Sequence, residues 1–163
     1  MEAMRKLRLY LDSSVVNHLF ANDTPDRMKD TARLWDECMA GKYDVFISPM
    51  VYEELEECPE PKRSLLYEKM ALLDLIELPA TNVVKMLADE YIKYGVLTDK
   101  SLNDCLHIAY ATVNNCDVLV SWNFRHLVRF KTSDMVKIVN TINRYREIII
   151  ASPAMLIDDG DEE

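Results

Sequence analysis

Short apolar runs alternate along the chain with longer stretches whose apolar residues recur at helical spacing. Five runs predict strands: Leu7–Leu11, Tyr43–Ile47, Leu75–Leu78, Val118–Ser121 and Ile148–Ile150. No tight-turn signal joins any two of them as a hairpin. The pattern therefore predicts an α/β domain with a central parallel sheet and helices on both faces.

Helices are predicted between these strands from their periodicity, caps and breakers. Their approximate ranges are Pro25–Ala40, Met50–Glu57, Lys62–Leu73, Asn82–Tyr94, Ser101–Val113 and Ser133–Arg146. Ser13 or Ser14 is expected to cap a shorter helix after the first strand, and Ser133 to cap the last helix. Residues 1–157 should form one domain, and the acidic tail 158–163 is expected to be disordered.

Composition excludes several classes of function. The chain of 163 residues has three glycines, and they stand far apart at Gly41, Gly95 and Gly160. Phosphate loops and dinucleotide fingerprints need clustered glycines that let the backbone approach phosphates, so both are excluded. No apolar run reaches membrane-spanning length, so no membrane association is expected.

The cysteines indicate a cytoplasmic protein without a zinc ribbon or a redox pair. Cys38, Cys58, Cys105 and Cys116 are irregularly spaced and form no Cys-x-x-Cys motif. With no secretory signal in view, all four are expected to be buried thiols of a cytoplasmic protein.

Charge is distributed unevenly along the chain. The formal net charge of −9 argues against tight non-specific binding of nucleic acid by the whole surface. Residues 125–146 nevertheless form a basic strip, which consists of Arg125, Arg129, Lys131, Lys137, Arg144 and Arg146 against the single acid Asp134. This strip is either a polyanion site or a solvated helix face.

Polar residues stand at several predicted strand-to-helix junctions. Asp12 follows the first strand, Glu53 lies on the helix after the second, Asp104 opens a later helix and Asn123 follows the fourth strand. These junctions meet at the carboxyl edge of a parallel sheet, where open α/β sheets bind ligands. Clustered carboxylates repel one another unless a cation neutralises them, and oxygen ligands suit Mg²⁺ or Mn²⁺.

Each of these residues also has a purely structural interpretation. Asp12 could cap a helix, Glu53 could be one solvated acid in an acidic run, and Asn123 could be a turn residue. Asp104 could simply interact favourably with the positive end of the helix dipole. His107, among apolar neighbours, is expected to be a satisfied core histidine rather than a ligand.

Four segments together resemble the successive motifs of PIN domains. They are Leu11–Ser14, Ser48–Leu55, Asn103–Ala111 and Asp117–Asn123, and the ending Val139–Ile142 with Ile150–Pro153 resembles a branch of the same family. The resemblance covers about residues 7–157. It implies the strand order 3-2-1-4-5 and a metal-dependent ribonuclease acting on RNA, often the toxin of a toxin–antitoxin pair and often a homodimer.

The resemblance also assigns roles to individual residues. Asp12, Glu53 and Asp104 match the family's acids, Ser14 and Ser121 match its supporting hydroxyls, and Asn123 falls where a fourth acid often stands. Arg125 replaces a further acid of the motif. Metal-assisted hydrolysis of RNA would then use Mg²⁺ or Mn²⁺ at the acids and Asn123, with Arg125, His126 and Arg129 on the flanking phosphates.

Two other classes of function stay open. Because Asn123 and Arg125 replace acids of the motif, one alternative is a catalytically weakened PIN module that binds RNA or a protein partner without cutting. An aspartate enzyme of phosphoryl transfer also places an acid after its first strand, but it wants a second acid where this chain has Ser14.

Overall fold

The first strand of the chain lies at the centre of the sheet. The computed structural model describes residues 5–157. Its strands are β1 (Arg8–Leu11), β2 (Asp44–Ile47), β3 (Leu75–Glu77), β4 (Val118–Val120) and β5 (Ile149–Ala151). All neighbouring pairs are parallel, and the order is β3-β2-β1-β4-β5. The predicted α/β class and strand order are both confirmed.

Helices connect the strands and pack on both faces of the sheet. Within residues 5–157 they are α1 (Ser13–Asn17), α2 (Pro25–Met39), α3 (Pro49–Leu55), α4 (Lys62–Met70), α5 (Asn82–Lys93), α6 (Leu102–Val113), α7 (Phe130–Ile142) and α8 (Pro153–Leu156). Short 3-10 turns follow α1 at His18–Phe20 and precede α6 at Asp99–Ser101. The sequence did not predict α8, which is a single turn begun by a proline.

The helix α7 differs most from its prediction. Ser133 is the predicted cap, yet the helix begins at Phe130 and Ser133 lies inside its first turn. It also ends before the predicted Arg146, because Arg144 takes a left-handed backbone conformation with φ of 65° that interrupts the helical path.

The strand β1 contributes to both layers of the core. Leu9 and Leu11 pack with α1, α2, α3 and α4 on one face, whereas Tyr10 packs with α5, α6 and α7 on the other. All three side chains are fully buried, and burial of each leucine stabilises the fold by about 1.5–3 kcal/mol. Because both layers hold this strand, the residue that follows it stands on a rigid support.

Burial of the four cysteines follows the prediction with one exception. Cys38, Cys105 and Cys116 are buried free thiols as predicted, but Cys58 is partly exposed.

The predicted acidic tail 158–163 lies outside the described residues. Across residues 5–157, every helix is too short or too polar to cross a membrane.

Candidate active site

Asp12 follows β1 directly and is almost fully buried, with 4% of its surface exposed. Its Oδ1 atom accepts hydrogen bonds from the backbone N–H groups of Ser14 (3.1 Å) and Val15 (3.3 Å), so it is the N-cap of α1. The predicted caps were the neighbouring serines. A carboxylate suits the position better, because it satisfies free amides and meets the positive end of the helix dipole. The structural and the functional interpretation of Asp12 are therefore compatible.

Two serine hydroxyls join Asp12 to the loop after β4. Ser14 Oγ donates to Asp12 Oδ1 at 2.6 Å and accepts from the backbone N–H of Trp122 at 2.9 Å. Ser121 Oγ accepts from the backbone N–H of Asn123 at 2.9 Å and lies 3.4 Å from Ser14 Oγ. The structure thus brings both predicted supporting serines to the acid, where β1 and β4 lie side by side.

The surroundings of Asp12 disfavour its charged form. Burial raises the pKa of Asp12 above its ordinary value, although the positive charge of His107 and the hydroxyls of Ser121 and Ser14 act in the opposite direction. The hydrogen bonds from Ser14 and Val15 all end on Oδ1, so they do not engage Oδ2. A bound cation would offset the burial by favouring the carboxylate.

Asp104 lies half-buried in the first turn of α6. Burial raises its pKa, and the nearby charges of Asp12 and Glu54 raise it further. The positive charges of His107 and His126 oppose this shift without cancelling it. Asp104 is thus near enough to Asp12 and Glu54 for their charges to affect its pKa.

The acid that α3 presents to this group is Glu54, whereas the predicted Glu53 is exposed. Glu54 Oε1 lies 2.7 Å from His107 Nε2 and accepts a hydrogen bond from Ser13 Oγ at 2.9 Å. Glu53 is exposed, and its charge acts on Tyr110. Consecutive helical residues point about 100° apart, so a shift of one residue changes which acid faces the site.

Glu54 differs from the two aspartates in having a basic partner. Burial alone would raise the pKa of Glu54, but the hydrogen bond and charge of His107 and the hydroxyl of Ser13 lower it overall. Burial alone would lower the pKa of His107, yet its hydrogen bond to Glu54 and the nearby carboxylates raise it overall. His107 is thus buried and hydrogen-bonded as predicted. Its spacing of three residues from Asp104 was the signal that it faces the site.

Asn123 shows the turn role that the sequence left open. Its Oδ1 atom accepts a hydrogen bond from the backbone N–H of His126 at 2.9 Å, while its own carbonyl accepts from the N–H groups of Leu127 and Val128. The amide oxygen that could ligate a metal is therefore engaged in holding the loop.

A cleft of about 570 Å³ opens between the segment before α6 and the start of α7. Its polar lining consists of Thr98, Asp99, Ser101, His126, Arg129 and Lys131. Two of the three predicted substrate-binding residues, His126 and Arg129, thus face one cleft together with Lys131. Arg125 is exposed outside it, and its carbonyl accepts a hydrogen bond from Arg129 Nη1 at 3.1 Å.

Asp12, Glu54 and Asp104 are called the three candidate acids below. Over residues 5–157, no three His, Cys, Asp or Glu side chains are arranged closely enough to hold a metal ion. Their chemistry nevertheless fits one, because oxygen donors suit a hard divalent cation. Burial raises the pKa of Asp12 and Asp104, and a bound cation would favour their charged forms.

Comparisons with known proteins agree with this architecture. The profile of the PIN domain family matches residues 9–129. Among solved structures, the chain is similar to a chain of the crystal structure of VapBC2 from Rickettsia felis bound to a DNA fragment from their promoter. The TM-score is 0.53 at 19% identity, over 90% of this chain and 98% of that one, and this likeness shows the fold. No curated protein sequence matches the chain. The matched segment contains all three candidate acids and four of the five strands, and the chain belongs to the PIN domain family.

Proposed function

We propose that this protein is a metal-dependent endoribonuclease that hydrolyses RNA phosphodiester bonds. Membership of a family of nucleases supports a hydrolase of nucleic acid. The observation that carries the proposal is the placement of Asp12, Glu54 and Asp104 on elements that come together at the carboxyl edge of the sheet, where burial raises the pKa of both aspartates. Acids with perturbed pKa values are typical of catalytic sites.

Asp12 and Asp104 are the residues that would hold Mg²⁺ or Mn²⁺, with Glu54 as the third acid. When bound, the cation would supply Lewis-acid activation of the phosphate and of an attacking water. Glu53 and Asn123 were the other predicted ligands. Exposure of Glu53 and the engaged amide oxygen of Asn123 make both weaker candidates than Glu54.

The aspartates have different protein partners, which favours different tasks. Asp12 is fixed by three hydrogen bonds to Oδ1, so it is suited to a constant position. Asp104 is less buried than Asp12, so its carboxylate is more accessible to an attacking water. We therefore assign proton acceptance from the attacking water to a carboxylate oxygen of Asp104.

The cleft lined by His126, Arg129 and Lys131, called the basic cleft below, supports RNA as the substrate class. His126 lies near enough to Asp104 to affect its pKa, and Arg129 and Lys131 line the same cleft. Cations in such a row hold successive phosphates of a nucleic acid without reading its sequence. Arg125, exposed beside them, would add a further phosphate contact. A local cleft of this kind is compatible with a net charge of −9 over the whole chain.

Protein partners form a further part of the proposal. The similar solved structure contains VapBC2 bound to DNA, which supports an antitoxin partner for this chain and a place in a toxin–antitoxin pair. The homodimer implied by the family resemblance is proposed with it. Light scattering of the purified protein, alone and with the product of an adjoining small reading frame, would test both assemblies.

A second candidate function is binding of RNA without cleavage. Two observations favour it: across residues 5–157 no ready-made set of three metal-binding side chains is present, and Asn123 replaces a fourth acid. The basic cleft would serve this function equally well, because its cations contact phosphates and not the scissile bond.

Labelled single-stranded RNAs separate the two functions. The purified protein is incubated with Mn²⁺, Mg²⁺ or chelator, beside Asp104→Asn and the control Asp89→Asn, which removes an exposed acid paired with Lys85 on α5. Nuclease action predicts cleavage that needs the cation, fails in Asp104→Asn and persists in Asp89→Asn. Cleavage that survives both chelation and Asp104→Asn would exclude the metal site. Binding without cleavage under every condition would favour the second function.

A further inference from the structure

A chain of short hydrogen bonds crosses the protein interior behind the three candidate acids. The Tyr10 hydroxyl lies 2.7 Å from Ser48 Oγ and 2.7 Å from His107 Nδ1. On its other side, His107 Nε2 lies 2.7 Å from Glu54 Oε1. Tyr10, Ser48 and His107 are at most 2% exposed, and we call these three residues the tyrosine network.

The network joins the three elements that carry the acids. Tyr10 precedes Asp12 by two residues on β1, and His107 follows Asp104 by one turn on α6. Ser48 is the N-cap of α3, the helix that carries Glu54, and its Oγ accepts from the backbone N–H of Met50 at 3.3 Å. A single tyrosine hydroxyl on β1 therefore makes hydrogen bonds to residues of both other elements, Ser48 at the start of α3 and His107 on α6.

The chemistry of the groups fixes how the bond to Glu54 is made. A carboxylate can only accept, so Nε2 of His107 carries a proton and donates it to Glu54 Oε1. Nδ1 either accepts from Tyr10 or, when the ring is charged, donates to it. In the second case the Tyr10 hydroxyl donates its hydrogen bond to Ser48 Oγ instead. Each arrangement satisfies the polar atoms and holds the imidazole in one orientation.

Core stability alone does not require such a network. Phenylalanine and leucine would fill the same space without needing partners, and replacing buried polar sets by apolar ones is often neutral or stabilising. Tyr91 offers a comparison within the same fold: it is equally buried, donates to Asn140 Oδ1 at 2.6 Å, and its hydroxyl oxygen lies 3.3 Å from Thr112 Oγ1. That tyrosine touches none of the three candidate acids, whereas the tyrosine network ends on one.

We propose that Tyr10, Ser48 and His107 are positioning residues that hold Glu54 in place against Asp12 and Asp104. The inference rests on the proposed function, since the three acids act together on a divalent cation. Outer partners that orient metal ligands typically change metal affinity or activity by about 10–100-fold when removed. Loss of this network should therefore weaken cation binding while the fold is retained.

Mn²⁺ affinity and RNA cleavage of four variants test the inference. Tyr10→Phe and His107→Leu should each weaken Mn²⁺ binding, the latter by about 10–100-fold. His107→Gln should recover part of the loss, because its amide nitrogen can still donate to Glu54. Tyr91→Phe removes a matched buried hydroxyl and should leave Mn²⁺ affinity unchanged. Thermal melts identify any variant that has lost its fold.

The inference is overturned if Tyr10→Phe and His107→Leu keep the parent's Mn²⁺ affinity, or if Tyr91→Phe loses as much as Tyr10→Phe. A metal-free measurement separates it from the proposed function. In chelator, NMR should show a slowly exchanging imidazole proton on His107 Nε2 that Glu54→Ala removes, and absence of that proton also overturns the inference. A parent that shows this proton yet neither binds Mn²⁺ nor cuts RNA would refute the proposed function instead.

Discussion

Aspartates stand at both ends of the parallel sheet, and their surroundings differ. At the amino end, before β4, the Asp117 carboxylate accepts from Arg5 Nη1 (2.8 Å), Arg5 Nη2 (3.0 Å) and the backbone N–H of Arg8 (2.8 Å). These bonds lower the pKa of Asp117 to about 2. At the carboxyl end, burial raises the pKa of Asp12 and Asp104. The positive charge of Arg5 thus stabilises the charged form of Asp117. The positive charges near Asp12 and Asp104 do not offset the effect of their burial.

The difference separates an acid that stabilises the fold from acids kept for a ligand. Asp117 favours folding, because its charged form is better stabilised in the native state than in the unfolded chain. Asp12 and Asp104 oppose folding by the same logic, since their charged forms are better solvated in the unfolded chain. Retaining two such acids at one edge is consistent with a cation that supplies the missing positive charge.

The largest expected effect is on catalysis at the carboxyl end. Asp12→Asn should reduce RNA cleavage by roughly 100-fold or more, because the amide still caps α1 but no longer supplies negative charge to the cation. Initial rates at saturating Mn²⁺ measure the effect. Asp117→Asn is the matched substitution at the other end and should change the rate less than about twofold. Equal losses in both variants would contradict the division between the two ends.

A comparison of two neighbouring glutamates tests which of them belongs to the site. Glu54→Gln should lower cleavage by about 10–100-fold, because it removes the charge held against His107 beside the other acids. Glu53→Gln changes the same residue type one position away on an exposed face and should have little effect. The pair is compared by kcat/KM on one RNA. A larger loss of kcat/KM in Glu53→Gln than in Glu54→Gln would show that Glu53 is the metal ligand, as the sequence predicted.

Stability should respond in opposite directions at the two ends. In chelator at neutral pH, Asp117→Asn should destabilise the fold by about 1 kcal/mol, a modest value because the partner Arg5 is largely exposed. Asp104→Asn should instead raise stability, since it removes a charge whose burial is unfavourable. Chemical denaturation of the parent and both variants gives the two differences directly.

Acidification distinguishes the two effects by sign. The folded pKa of Asp117 is lowered, so its contribution is present above pH 4 and should disappear as the pH falls toward about 2. The folded pKa of Asp104 is raised, so the advantage of Asp104→Asn should shrink as acidification protonates the native parent through that pKa. Differences that do not change with pH would show that the charges are not responsible.

The sequence predicted the frame of this site better than its details. Strand order and the position of Asp12 followed from alternating strands and a family resemblance, because both depend on spacing along the whole chain. The choice between Glu53 and Glu54 depends on the rotation of α3, which an acidic run does not specify. The preference of serine for N-cap positions likewise predicted the wrong start for α7, because a local cap preference is weak compared with tertiary packing.

The tyrosine network was beyond prediction for another reason. Tyr10 and Ser48 look like an ordinary strand residue and an ordinary helix cap in the sequence. Their partnership with His107 arises only when β1, α3 and α6 pack together. Single-sequence patterns report local periodicity, whereas this bond chain joins residues separated by 38 and 97 positions.

The smallest expected effect concerns Asn123, which stands at the carboxyl end but behaves as a turn residue. Asn123→Ala should lower cleavage less than about tenfold and cost about 1 kcal/mol of stability, because the N–H of His126 loses its acceptor. Asn123→Asp keeps an acceptor oxygen and adds a charge near the acids, so it should tighten Mn²⁺ binding by a few-fold. Calorimetric titration of Mn²⁺ and denaturation measure the two quantities.

These two variants decide whether the carboxyl end contains three acids and a structural amide or a four-ligand site. A structural amide predicts that Asn123→Ala loses stability and activity together, and that conditions restoring the fold restore most of the rate. A ligand predicts loss of Mn²⁺ affinity with the fold intact. If Asn123→Ala abolishes cleavage in a stably folded protein, the amide belongs with Asp12 and Asp104. In that case the second lone pair of Asn123 Oδ1 would face the cation while the first accepts from the His126 N–H.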